Sequence, residues 1–213
     1  FLLRTDVLEK SPAEFVERPK SGHYLPDTLS IEEIDAILDA IDVSTAHGYR
    51  NRTMIEMLYS CGLRVSELTS LHISDLFFDE GFIRVLGKVP VSDRCRMQVE
   101  TYLREYRGIP GDEKSSDTLF LNRHGRKLSR IMVFNAIKAA AAAAGIDKEV
   151  SPHTFRHSFA THLLAGGANI RQVQELLGHE SITTTEIYTH LDTGRLHAAL
   201  NEHHPLGKRY RER

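Results

Sequence analysis

Three short stretches of this sequence carry side chains able to act on an anion. Ser151-Pro152-His153-Thr154-Phe155-Arg156-His157 opens with an N-cap serine and a proline at the first helical position. On the helix that follows, His153 and Arg156 are three residues apart and share a face. Both fall within the first two turns, where the helix dipole is positive and favours an anion. Leu177-Gly178-His179 is followed, nine positions after His179, by Tyr188, on a short helix that Thr183 or Thr184 can cap. Cys61-Gly62-Leu63-Arg64-Val65-Ser66-Glu67-Leu68 places Arg64 just after a glycine break, with Leu63, Val65 and Leu68 as apolar anchors. Each stretch alone has an ordinary explanation: charges on a helix surface, a packed aromatic, an arginine at a bend. Taken singly, none assigns a function.

In this order and together, the motifs Gly-Leu-Arg-x-Ser-Glu-Leu, His-x-x-Arg-His and Leu-Gly-His followed by Tyr188 resemble the tyrosine site-specific recombinases of the phage-integrase family. Within it the likeness is strongest to the bacterial Xer recombinases. It runs from about Leu25 to Pro205 and includes the uninterrupted stretch Ser151 to Leu164. The resemblance implies a mainly α fold with a small antiparallel β-sheet. It also implies site-specific DNA recombination by strand cleavage and rejoining through a 3′-phosphotyrosine, chromosome dimer resolution first and phage or transposon integration as the alternative. Arg64 and Arg156 then look like the arginines on the scissile phosphate, and Tyr188 like the nucleophile. His153 and His179 look like the two site histidines, Lys88 like the lysine of the family's β-hairpin, and Glu67, held weakly, like a supporting acid. For His157, packing or helix hydrogen bonding is the expectation.

Such chemistry suits these residue types. Charge builds on two non-bridging oxygens as a phosphodiester breaks, and planar guanidiniums can meet them with paired hydrogen bonds. In a prearranged site this electrostatic contribution should dominate. A phenol of pKa about 10 is a weak nucleophile at neutral pH, so a histidine able to accept or share its proton helps. Which of His153 and His179 does so stays open. The departing 5′-oxygen needs a proton, and Lys88 on its mobile stem suits a general acid. No cofactor and no metal ion is implied.

The elements that must position these groups can be read from caps and periodicity. Ser30-Ile31-Glu32-Glu33 is a capping box ahead of a stripe through Ile31, Ile34, Ile37, Leu38 and Ile41. Residues 51–60 carry a second stripe, residues 128–144 a third that stops at Gly145, and Asn169 caps a fourth. Residues 1–24 lack periodicity and read as a linker; the resemblance implies a DNA-clamping domain before it and a catalytic domain over residues 25–205, with residues 206–213 as a basic tail. Arg195 to His204 is the candidate for the helix that family members exchange between neighbours in tetramers on DNA.

Phe82-Ile83-Arg84-Val85-Leu86 and Val89-Pro90-Val91 are rich in strand formers and read as the arms of a hairpin. A tight hairpin needs about two turn residues, and a valine followed by proline cannot reverse the chain. The sequence therefore predicts that several residues are missing between Lys88 and Val89.

Composition permits this reading without supplying it. Among 213 residues, 41% are hydrophobic and 26% charged, with a net charge of −2. Five acids and no base lie between Ile31 and Asp42, whereas Arg84 to Arg130 holds eleven Lys/Arg against six Asp/Glu. The partners expected are double-stranded DNA and a homo- or hetero-tetramer with a related recombinase, while a free fragment can be monomeric. No apolar run nears the ~18 residues of a membrane span. Cys61 and Cys95 lack metal or redox spacing, so a reduced, cytoplasmic protein is expected. Two other classes compete. A metal hydrolase could use His153 and His157 at i,i+4, but Thr154 stands where the glutamate of HExxH would be. A DNA-binding protein of the same fold without catalysis would not need the full residue set.

Overall fold

The computed structural model describes residues 28–178 and 190–206. The linker read at 1–24, His179, Tyr188 with its cap, and the basic cluster from Lys208 lie outside the described residues. Eight α-helices and one small sheet make up the described chain, in the order α1 Ile31–Asp39, α2 Ala46–Ser60, α3 Val65–Ser70, β1 Leu76–Phe77, β2 Phe82–Arg84, β3 Lys88–Pro90, α4 Asp93–Thr101, α5 Arg130–Ala143, α6 Pro152–Ala165, α7 Ile170–Leu176 and α8 His190–His203.

Local chemistry sets the helix starts. Ser30 and Glu33 satisfy each other's backbone N–H groups at 3.2 and 2.7 Å and open α1. Ser151 caps α6 with Pro152 in its first turn, and Asn169 caps α7 through the Gln172 N–H. The expected stripes are present, but α2 departs from one. From Thr53 to Ser60 every residue is buried, because α2 is packed by α1, α3, α4, α5 and α6 together. An all-round buried helix must satisfy its charges internally. Arg50 does so by donating to the Leu121 carbonyl at 2.8 Å, and Glu56 by accepting from Arg94 Nε at 3.0 Å.

The antiparallel sheet has the order β1-β2-β3, with Phe77 opposite Phe82, Ile83 opposite Val89 and Arg84 opposite Lys88. The turn expected directly after Lys88 lies earlier in the chain. The strand β3 runs through Lys88, Val89 and Pro90 one residue at a time, and the reversal lies earlier, at Val85-Leu86-Gly87. Val85 N–H donates to the Gly87 carbonyl at 2.9 Å to close it. Val85 and Leu86 are strand formers by type, which hid the turn; Leu86 is 86% exposed at its tip. Lys88 therefore begins β3 rather than capping the hairpin.

The candidate exchange helix is folded onto its own chain. α8 packs against α6, α7 and β3; Leu196 and Leu200 join the common core, and Ala199 is buried. Its end is fitted closely: a Cβ on Gly166 would lie 2.2 Å from the His203 carbonyl oxygen. Glycine is required there by approach rather than by dihedral. Cys61 and Cys95 are free and buried. Among the described residues no helix is long and apolar enough to cross a membrane.

Candidate active site

The site is built where the end of α2 turns into α3 beneath the start of α6. Helix α2 stops at Cys61, and Gly62 takes φ +60. A side chain at Gly62 would be strained there and would also meet the Phe159 ring at 2.6 Å. Leu63 is buried, which pins the bend, and Arg64 becomes the residue before α3. Glu67, three residues on, holds Arg64 twice. One carboxylate oxygen accepts the Arg64 backbone N–H at 2.7 Å and the other accepts Nη1 at 2.8 Å. The same bonds that start α3 thus aim the Arg64 guanidinium.

Arg156 approaches from the second turn of α6. Its Nη1 donates to the Gly62 carbonyl and its Nη2 to the Leu177 carbonyl, each at 2.6 Å. Nη1 also lies 3.9 Å from Glu67. Burial and the nearby Arg64 charge push the Arg156 guanidinium below the usual arginine range, against the pull of Glu67. A guanidinium stays protonated regardless. Two like charges are therefore gathered about one carboxylate, an arrangement suited to an incoming anion that would add the missing negative charge. The Arg64 side chain remains 40% exposed, against 15% for Arg156, so the outer arginine is open to a ligand.

The remaining expected residues are placed less tightly. His153 is exposed at the second position of α6, one turn before Arg156, and close to the positive end of that helix. His157 is exposed, which corrects the expectation that it packs. Lys88 stands on β3, with its ammonium 4.5 Å from the centroid of the Phe82 ring. His179 and Tyr188 lie outside the described residues, although Leu177, which Arg156 grips, precedes His179 by two positions. Among the described residues no three His, Cys, Asp or Glu side chains are grouped to hold a metal ion.

Sequence reading missed the carbonyl groups of Gly62 and Leu177 as the anchors of Arg156. Every residue has a carbonyl, so residue type gives no signal; only the glycine break hinted at one of them. It also underrated Glu67, whose position three residues after Arg64 was the available clue.

The phage integrase family model matches residues 27–195, most of the described chain and the whole of the arginine–carboxylate cluster. The chain belongs to the phage integrase family. A curated relative, tyrosine recombinase XerD of Staphylococcus saprophyticus, is 43% identical over 211 residues, covering 96% of this chain and 72% of the relative. Among solved structures of integrase-family fold, the XerA recombinase matches with a TM-score of 0.66 at 26% identity, over 99% of this chain and 72% of that one. A XerH site-specific recombinase bound to palindromic difH substrate, in a post-cleavage complex, matches with a TM-score of 0.66 at 30% identity. That match covers 85% of this chain and 54% of XerH. The mainly helical fold with one small antiparallel sheet is thus that of the integrase family's recombinases.

Proposed function

We propose that this chain cuts and rejoins double-stranded DNA as the catalytic domain of a tyrosine recombinase, following a linker at residues 1–24 and an N-terminal clamping domain. The observation that carries the reading is the convergence of Arg64 and Arg156 on Glu67. In the reaction, the Tyr188 hydroxyl oxygen attacks phosphorus and its proton passes towards His153 or His179. The bond to the 5′-oxygen breaks, and Lys88 gives that oxygen a proton. Arg64 and Arg156 meet the charge on the non-bridging oxygens. The product is a 3′-phosphotyrosine and a free 5′-hydroxyl, and rejoining is the reverse with a new 5′-hydroxyl.

Resolution of chromosome dimers is favoured over phage or transposon integration by the Xer names of the relatives. The XerH complex supports a DNA partner, and a cytoplasmic setting follows from such a substrate. Work on DNA as a tetramer would require α8 to leave its own core and dock on a neighbour, and the free chain with α8 docked in cis would be the resting form. The test is a duplex carrying a nick beside the cut, from which the released fragment diffuses away and traps the covalent complex. A protein–DNA adduct that survives denaturation and is lost to protease is expected. No adduct on any such substrate, with binding intact, would favour a binding protein without catalysis.

A further inference from the structure

The sheet that carries Lys88 contains a charge conflict. Arg84 and Lys88 are directly opposite each other on β2 and β3, where like charges repel. Each cation is given its own partner. Arg84 donates to Asp75 from Nε and Nη2 at 3.1 and 3.0 Å, with its guanidinium carbon 5.2 Å from the Phe77 ring centroid. Lys88 is treated differently. Its ammonium sits over the Phe82 ring, and among the described residues no carboxylate lies within ion-pair distance of it. Phe82 is itself held: it is 4% exposed and stacked on Phe77 with centroids 4.8 Å apart and planes 14° from parallel.

The kind of partner matters for a proton donor. A carboxylate would hold the ammonium through its N–H bonds and compete for the proton. An aromatic face attracts the charge through its quadrupole and leaves N–H groups free to point elsewhere. We propose that Phe82 is a positioning residue for Lys88, an aromatic seat that fixes the ammonium while leaving its protons available to the departing 5′-oxygen. The proposal rests on Lys88 as the general acid. As the phosphorus–oxygen bond breaks, its electron pair goes to the 5′-oxygen, which takes a proton from Lys88 and leaves a neutral amine; the reverse step returns it.

The test uses the full chain and two nicked duplexes, one natural and one with sulfur replacing the bridging 5′-oxygen. A thiol has a pKa of about 8.5, so a thiolate can leave without a proton. Phe82→Leu is expected to slow single-turnover adduct formation on the oxygen substrate by about three- to tenfold, the rate equivalent of a cation–π contact. DNA affinity and the rate on the sulfur substrate are expected to change little. Phe82→Tyr, which keeps the ring, is expected to cleave at the parental rate, and Phe77→Leu, which loosens the stack but leaves the Phe82 ring under the ammonium, is expected to slow the oxygen substrate less than Phe82→Leu does. Equal slowing by Phe77→Leu and Phe82→Leu on both substrates would reduce Phe82 to packing and overturn the proposal. Faster cleavage by Phe82→Leu would overturn it too, because the ring would then hold the lysine away. Should Phe82→Leu not fold, Phe82→Met, which refills the site without a ring, makes the same comparison. Lys88→Ala tests the underlying role separately: a defect that sulfur does not relieve removes Lys88 from the acid step, whatever Phe82 does.

Discussion

Arg156 donates to the Gly62 carbonyl oxygen at 2.6 Å across 94 positions of sequence. The bond makes the guanidinium a structural clip as well as a charge. It fixes the bend that delivers Arg64, and through Leu177 it also fixes the end of α7. The two arginines are therefore not independent contributors. Whatever displaces Arg156 releases the backbone that aims Arg64.

Arg156→Lys should consequently cost far more than a change in hydrogen-bond number. A lysine has one donor centre and cannot reach both carbonyls while presenting a planar face to phosphate. Covalent adduct formation is expected to fall by about a hundredfold or more, the scale seen when a transition-state donor is removed. Gel-shift affinity should change by less than the rate does. A variant within a few-fold of the parent would show that Arg156 does not touch the phosphate.

Glu67→Gln keeps the size of the side chain and removes its charge. One amide oxygen can still accept the Arg64 backbone N–H, but the bond to Nη1 is lost. A hydrogen bond to a charged group contributes about 1.5–3 kcal/mol, so cleavage should slow by roughly ten- to a hundredfold. Rate measurements across salt concentrations check the cause. If the loss were only weakened DNA binding, saturating DNA would restore the rate, and the positioning role would be rejected.

How much of this was legible beforehand depends on what sequence can encode. Caps are written in side chains, so Ser30 with Glu33, Ser151 with Pro152, and Asn169 were readable as helix starts. The convergence of Arg64 and Arg156 came from the family resemblance rather than from spacing, since nothing in a linear pattern brings α6 against the α2–α3 bend. Arg156's carbonyl anchors were illegible because backbone groups carry no residue signature. The hairpin misled for another reason. Val85 and Leu86 favour strands, yet the pairing of Arg84 with Lys88 overrides that preference and puts them in the turn. The two-residue strand β1 escaped because so short a run has no period to detect.

Tyr188→Phe tests the proposed nucleophile. Removing a single hydroxyl should abolish the adduct on a nicked duplex while leaving DNA affinity nearly unchanged. Mass analysis of the adduct peptide from the parent protein should place the phosphodiester on Tyr188. An adduct formed by the Phe variant at the parental rate would move the assignment to another residue.

Docking of α8 in cis gives a stability expectation. Leu200 is 1% exposed, packed in the core with Leu196 and Leu206. Leu200→Ala should lower the unfolding free energy by about 2–5 kcal/mol, as for other buried leucines. Urea denaturation of the free chain measures it. A loss below about 1 kcal/mol, too small for a leucine in a packed core, would mean that α8 is not docked on its own chain in solution.

The last expectation concerns pH. The Tyr59 hydroxyl and His162 Nδ1 share a hydrogen bond of 2.8 Å, joining α2 to α6. Burial pushes the His162 imidazole below its ordinary value, against the opposing influence of the Leu29 backbone and the Glu32 charge. The sign follows from proton uptake. Between the depressed folded value and the ordinary value of about 6.5, the unfolded chain binds more protons at this site than the folded one. Stability from His162 is therefore fully present above about pH 6.5 and is lost as pH falls through the folded value. Protonation of Nδ1 would also oblige the Tyr59 hydroxyl to accept rather than donate. His162→Gln retains a hydrogen-bonding group that does not titrate, so its melting temperature should fall less steeply than the parent's as pH drops from about 7 to 5. Parallel curves for the two proteins over that range would place the proton linkage at another residue.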